Sequence, residues 1–276
     1  MKKIFFAAPL LAMLLVACDP STSEYGSPAA SLTSDELTSE LQLNPKSTGN
    51  NNITVVTSPA RYIKIYDATT KTLVGEGTNT TIQVTPPTTT ASFYVTAINQ
   101  DGSITTSSAK SVNVTEYTDL PKIYYKIFGD DLGTTKWSWD TTASDGVWGN
   151  GGYLEATGPG WWVVQSSGID EQATGKGLPN DGLSGWMTLS LSGVNTSRGE
   201  TGKVSVTEDV VKANWDIGTM TFSGTIPLLG VQPNKGNARQ YVYQILKADG
   251  TYLRLCAPEP GAGDWGTAWF WNFKKQ

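Results

Sequence analysis

The chain of 276 residues contains no histidine, and it has only two cysteines. Without histidine it lacks the side chain that most often serves as a general base near neutral pH and most often ligates metals. Histidine-dependent hydrolases and most zinc sites are thereby excluded. Two cysteines cannot build a disulfide framework. Basic residues are also scarce, with 20 Lys and Arg against 25 Asp and Glu, a net charge of −5, and no basic cluster. Nucleic acid is therefore not expected as a partner, because such binding depends on Lys and Arg neutralising phosphates. Long apolar runs are missing as well. The clearest, residues 4–16, is shorter than the roughly 20 residues needed to cross a bilayer.

That short run follows Lys2 and Lys3 and ends at Ala17, with Asp19 and Pro20 breaking it, so it reads as a secretory signal spanning residues 1–17. Leu15-Val16-Ala17-Cys18 resembles the lipobox of bacterial lipoproteins, in which the cysteine receives a diacylglyceryl group and becomes the new N-terminus. An ordinary cleavage site with a chance cysteine is the competing reading. Lipidation at Cys18 would tether the protein to a membrane, because each buried methylene contributes about 0.8 kcal/mol and two or three chains anchor stably. Asp19 directly after the cysteine suits inner-membrane retention under one set of sorting rules and surface export under another. The second cysteine, Cys256, sits in an apolar run and reads as a small core residue. A catalytic thiol would need a basic partner, usually histidine.

Residues 18–49 are rich in Ser, Thr, Pro and Asn and read as a flexible polar stalk, although 33–43 contains enough leucine for a short helix. Residues 50–117 show period-two apolar spacing: Ile53 with Val55, Ile63 with Ile65, Ile82 with Val84, Phe93 with Val95 and Ala97, and Val112 with Val114. Such alternation marks half-buried strands. Residues 67–71 and Asn99-Gln100-Asp101-Gly102 supply the turns. The expectation is a small immunoglobulin-like or PKD-like sandwich.

Beyond Thr118-Asp119-Leu120-Pro121 the composition changes, and all ten tryptophans lie there. Residues 121–276 read as strands near 123–128, 135–139, 161–165, 186–191, 203–206, 219–226, 241–247, 251–256 and 268–274, with almost no helical periodicity. The expected fold is all-β throughout, the second module being a larger β-sandwich of jelly-roll type.

Alternation also sorts the tryptophans. Trp269, Trp271 and Phe273 share one face of a strand, as do Trp137 and Trp139, and these are assigned to the core. Trp186 opposes the apolar face of Met187, Leu189 and Leu191, so it is expected to be exposed or to cover a site. Trp161 and Trp162 are adjacent and should point opposite ways, one of them outward. Trp148 and Trp265 lie among glycines beside Asn150 and Asp264 and read as loop residues. A pyranose has one face of C–H groups that packs on an indole and an edge of hydroxyls that pairs with amides and carboxylates. The expected ligand-binding residues are therefore Trp148, Asn150, Trp161, Trp162, Trp186, Asp264 and Trp265, with Asp145 and Asp181 as further hydroxyl partners and Tyr153 and Tyr252 as further stacking surface. Aromatic loops also mark protein interfaces.

The order of a lipobox with Cys18-Asp19, a polar spacer, FYVTAINQDG at 93–102, and the Trp-rich segments WSWD (137–140), VWGNGGY (147–153) and WFWNFK (269–274) resembles the surface glycan-binding lipoproteins of Bacteroidota glycan-utilisation systems, including the SusE/SusF-like group. The resemblance implies an outer-membrane, cell-surface protein that captures oligosaccharide or polysaccharide for a neighbouring importer without performing chemistry. Two alternatives stand beside it. One is a structural or adhesive surface protein whose tip binds another protein. The other is a glycoside hydrolase, which needs two carboxylates facing one cleft at about 5–9.5 Å, whereas Glu155, Glu171, Glu208 and Glu259 are scattered. No cofactor is expected. A structural calcium could be held only by the oxygen-rich loops around Asp130, Asp131, Asp140 and Asp145, whose spacing fits no standard loop.

Overall fold

The computed structural model describes residues 31–276; the leader and Cys18 lie outside them. The first module holds helix α1 (Ser34–Glu40) and strands β1 (Leu41–Pro45), β2 (Asn52–Thr57), β3 (Ile63–Asp67), β4 (Leu73–Gly77), β5 (Thr80–Gln83), β6 (Thr90–Ile98), β7 (Ile104–Thr106) and β8 (Lys110–Asn113). They form a β1-β2-β5 sheet and a β4-β3-β6-β7 sheet, with β8 added to β6. The alternation in β2 and β6 buries Ile53 and Val55 in one core with Ile63, Ile65, Phe93, Val95 and Ala97. The turns form as expected: Asp67 Oδ1 accepts from the N–H groups of Thr69 and Thr70, and the Gly102 N–H donates to the Asn99 carbonyl with Gly102 at φ +81°.

The later part of the expected spacer is instead folded into the first module. Thr33 and Glu36 form a capping box at the start of α1, Leu37 and Leu41 are sealed in the core, and β1 pairs along β2. The physical reason is spacing: two leucines four apart share a helical face, and burying them outweighs the polar average around them. Arg61 reaches back with two hydrogen bonds to the Glu40 carboxylate. The two modules meet at Tyr117, which packs against both cores, and at Asn51, whose Oδ1 accepts the Thr118 N–H.

The second module contains α2 (Lys122–Phe128), β9 (Thr135–Trp139), β10 (Trp148–Gly152), β11 (Trp162–Val164), α3 (Ile169–Gly175), β12 (Trp186–Ser190), β13 (Gly193–Thr196), β14 (Thr201–Thr207), β15 (Thr219–Ser223), β16 (Val231–Gln232), β17 (Ala238–Arg239), β18 (Val242–Ala248), β19 (Tyr252–Pro258) and β20 (Thr267–Lys275). It is all-β, as expected, but its main sheet is a single ten-stranded ribbon rather than two jelly-roll layers. The order is β11-β10-β20-β19-β18-β15-β14-β13-β12-β9, and β20 also pairs with β9. The nine-residue β20 makes this possible. Its N-terminal half carries β10, with Trp148 opposite Trp271, and its C-terminal end carries β9, with Phe273 opposite Trp139. Eight strands thus close into a barrel, and β10 and β11 splay away from the seam.

The barrel interior is aromatic: Trp137, Trp139, Trp269, Trp271, Phe222, Tyr243 and Phe273 are buried with Met187, Leu189 and Ile245. Their polar atoms are satisfied. Trp139 Nε1 donates to the Asp181 carbonyl at 2.8 Å and Trp271 Nε1 to the Leu229 carbonyl at 3.1 Å. Residues 123–128, expected as a strand, are helical: Ile123, Tyr124, Ile127 and Phe128 form a helical stripe that enters the barrel core, and Tyr124 Oη donates to the Val206 carbonyl. Their β-prone side chains masked an i, i+4 spacing. Helix α3 was also not foreseen; it buries only Ile169 and Ala173.

Candidate functional site

The splayed end of the barrel carries the exposed indoles. On β11, Trp162 lies opposite Asn150 of β10, and Asn150 lies opposite Trp269 of β20, so the three occupy one face of three neighbouring strands. The Trp162 and Trp269 rings stand edge to face at 5.8 Å. Two residues along β10, Gly152 supports Trp265. A Cβ on Gly152 would meet Trp265 Cε3 at 2.6 Å, so the indole rests on bare backbone. At this end of the sheet Trp265 is 62%, Trp161 54% and Trp162 39% exposed.

Asn150 organises this surface. Its carbonyl accepts the N–H groups of Gly160 and Trp161, and its Oδ1 accepts the Trp162 N–H at 3.0 Å. The loop carrying Trp265 is closed by Gly266 N–H to the Gly263 carbonyl and by exchange with Tyr153: Trp265 N–H donates to the Tyr153 carbonyl, and Tyr153 N–H to that of Gly266. Within it Trp265 adopts φ +59°, the left-handed region that bulky residues avoid at a cost of about 1–3 kcal/mol. Asp264 is exposed beside it.

Other expected site residues lie elsewhere. Trp148 is not in a loop; it opens β10 and is fully buried, stacked on Trp269 with ring centroids 5.0 Å apart. The glycines that suggested a loop, Gly149, Gly151 and Gly152, instead allow close approach within the sheet: a Cβ on Gly151 would crowd Phe270 and the Gly158 carbonyl. Trp186 is half-buried on β12, which β9 and β20 separate from β10, with the Lys136 ammonium 5.2 Å from its ring centroid. Asp181 is sealed in the barrel wall, held by Arg198 and by the Leu229 N–H, while Arg198 also bonds Glu200 and Arg239 pairs with Glu200. Asp145 pairs with Arg254 at 2.9 Å and accepts from Asn272. Tyr153 is buried edge-on against Trp215, and Tyr252 is flanked by Lys247 and Lys274. Burial pushes the Cys256 thiol well up, as befits a core residue.

Lys176, just after α3, was missed in the sequence. Its ammonium lies 5.1 Å from the Trp148 ring centroid and 5.8 Å from that of Trp162, and it donates to Gln172 Oε1 at 2.9 Å. Burial holds this amine below the usual lysine range. No linear motif marks it, since it meets the indoles only through the placement of α3. Among the described residues, no group of three or more acidic or cysteine side chains comes together to hold a metal. Asp131 and Asp140 instead accept from nearby backbone N–H groups of Gly133 and Thr142. One surface hollow, of about 680 Å³, is lined by Tyr117, Leu132 and Leu191 where the modules meet, and one of about 480 Å³ lies beside Trp186, Thr188 and Asn195. Another, of about 480 Å³, lies on the first module beside Arg61 and Tyr62.

Comparison with known proteins finds no family model and no curated sequence that matches the chain.

Proposed function

We propose that this is a cell-surface lipoprotein whose barrel module binds oligosaccharide or polysaccharide without catalysis, on the platform of Trp265, Trp162 and Trp161, with Asn150 and Asp264 beside them. The observation that carries the reading is Trp265, a large apolar side chain held in left-handed backbone, laid flat on a glycine and left mostly in solvent. Folding alone favours glycine or asparagine at such a position. A ring kept there at an energetic cost is a ring with a use. Flat indoles suit the C–H face of a pyranose, and such stacking contributes on the order of 1 kcal/mol per ring.

The lipid anchor at Cys18 and an outer-membrane location, feeding a glycan importer, complete the proposal. They rest on the N-terminal sequence and on the resemblance. No helix among the described residues is long and apolar enough to cross a membrane. The test is calorimetry and affinity electrophoresis of the purified protein against a panel of polysaccharides. Retention without release of reducing ends is expected, lost in Trp265→Gly and weakened in Trp161→Ala. Release of reducing ends would make the protein a hydrolase, and no retention by any polysaccharide would end the reading.

A further inference from the structure

Lys46, Lys212, Lys235 and Lys247 each pair with a carboxylate, to Asp119, Glu155, Glu259 and Asp249 respectively. Lys176 does not. Among the described residues its one hydrogen-bond acceptor is the neutral Gln172 Oε1, and its remaining contacts of note are the faces of Trp148 and Trp162. An ammonium has three donors, so two stay uncommitted beside the aromatic platform. Beneath it, the indole N–H of Trp148 is sealed without any acceptor among the described residues. Glu259, the carboxylate that accepts from the neighbouring Trp269 N–H, is already engaged by Lys235 and Asn234.

Packing does not explain a charge here. Partial burial of an ammonium is costly, and cation–π contact returns only about 0.5–2 kcal/mol. A methionine would cover the same two rings without that cost. What the position offers is a desolvated cation at the edge of a stacking surface, where an anionic substituent would be held more strongly than in open water.

We propose that Lys176 makes this platform selective for acidic glycans, its ammonium binding the carboxylate or sulfate of a sugar whose ring stacks on Trp162. This rests on the glycan-binding reading above and narrows its ligand class.

The experiment compares matched pairs by calorimetry with the purified protein: uronate oligosaccharides against their carboxyl-reduced counterparts, and a sulfated galactan against its desulfated form. One charged member is expected to bind about tenfold or more tightly than its neutral partner, the strength of one charge-assisted hydrogen bond, and which pair shows the difference identifies the anion. Lys176→Gln should erase that preference, and Lys176→Arg should keep most of it. Both side-chain changes leave in place the backbone N–H of residue 176, which donates to the Gln172 carbonyl at the end of α3, and unchanged near-ultraviolet circular dichroism verifies the fold. Equal binding of charged and neutral partners, or a preference that survives Lys176→Gln, overturns the inference while leaving the glycan-binding reading intact. If no glycan of either kind binds, both fall together.

Discussion

The barrel treats the same residue type in two opposite ways at its two sides. Along the closed wall, where β20 meets β9, Trp137, Trp139 and Trp271 are fully buried with every indole N–H bonded. Where β10 and β11 splay off the same strand, Trp162 and Trp265 stand in solvent, Trp265 does so in left-handed backbone, and the Trp148 N–H beneath lacks an acceptor. The indoles of the closed wall follow the rules of a stable core, buried and hydrogen-bonded. The splayed end breaks several of them within one small area, and local violations of folding rules concentrate where a protein does something other than fold. Sheet closure is the difference: a strand with a partner on both edges seals the rings on its inner face, and a strand near a free edge leaves them open.

The largest expected effect lies on the closed wall. Trp271→Ala should destabilise the protein by about 3–5 kcal/mol, read as a drop in the urea midpoint; a loss below about 1 kcal/mol would show that the wall is not the stabilising half. At the splayed end the effect should move from stability to binding. Trp265→Gly removes the ring and relieves the left-handed residue, so stability should change by no more than about 1 kcal/mol while polysaccharide affinity falls about tenfold or more. Gly152→Ala should lower affinity in the same assay by lifting the indole from its seat, since the new methyl would lie 2.6 Å from Trp265 Cε3. An affinity loss accompanied by equal unfolding in either variant would erase the contrast between the two sides.

A smaller effect sharpens the view of the wall. Hydrogen bonding to Arg239, helped by Thr225 and by the charges of Arg198 and Arg239, holds the Glu200 carboxyl down to about 2. A carboxylate lowered in the folded state stabilises it above the ordinary pKa near 4.5, and that stability is lost as the pH falls from there toward 2. With allowance for solvent screening at this partly exposed site, the share is on the order of 1 kcal/mol. Glu200→Gln should therefore flatten the acid limb of stability against pH between those values; an unchanged limb would remove Glu200 from the account. Smallest of all, Trp186→Ala should leave glycan affinity within about twofold, because the residue lies on β12, separated by β9 and β20 from the strands that carry Asn150 and Trp162.

Several features were legible in the sequence because they depend on local pattern. Period-two alternation placed the strands of the first module and the inward tryptophans of β9 and β20, since a strand's side chains must alternate whatever the topology. Exposure at Trp265 was legible from its glycine-rich surroundings, whereas of the adjacent Trp161 and Trp162 only one was expected to face outward and both are exposed. Tertiary structure alone decided the rest. Trp148 and Trp265 sit in similar glycine-rich text, yet one is paired on a strand inside the core and the other caps a glycine in solvent, because burial depends on which strands become neighbours. Leu37 and Leu41 looked like spacer residues until a sheet offered them a core. Asp145 and Asp181 found cations far along the chain, Arg254 and Arg198. Lys176 met its two indoles only when α3 folded over the splayed strands. Local pattern sets which way a side chain points from its own backbone, and long-range pairing, which no short window of sequence contains, sets what it meets there.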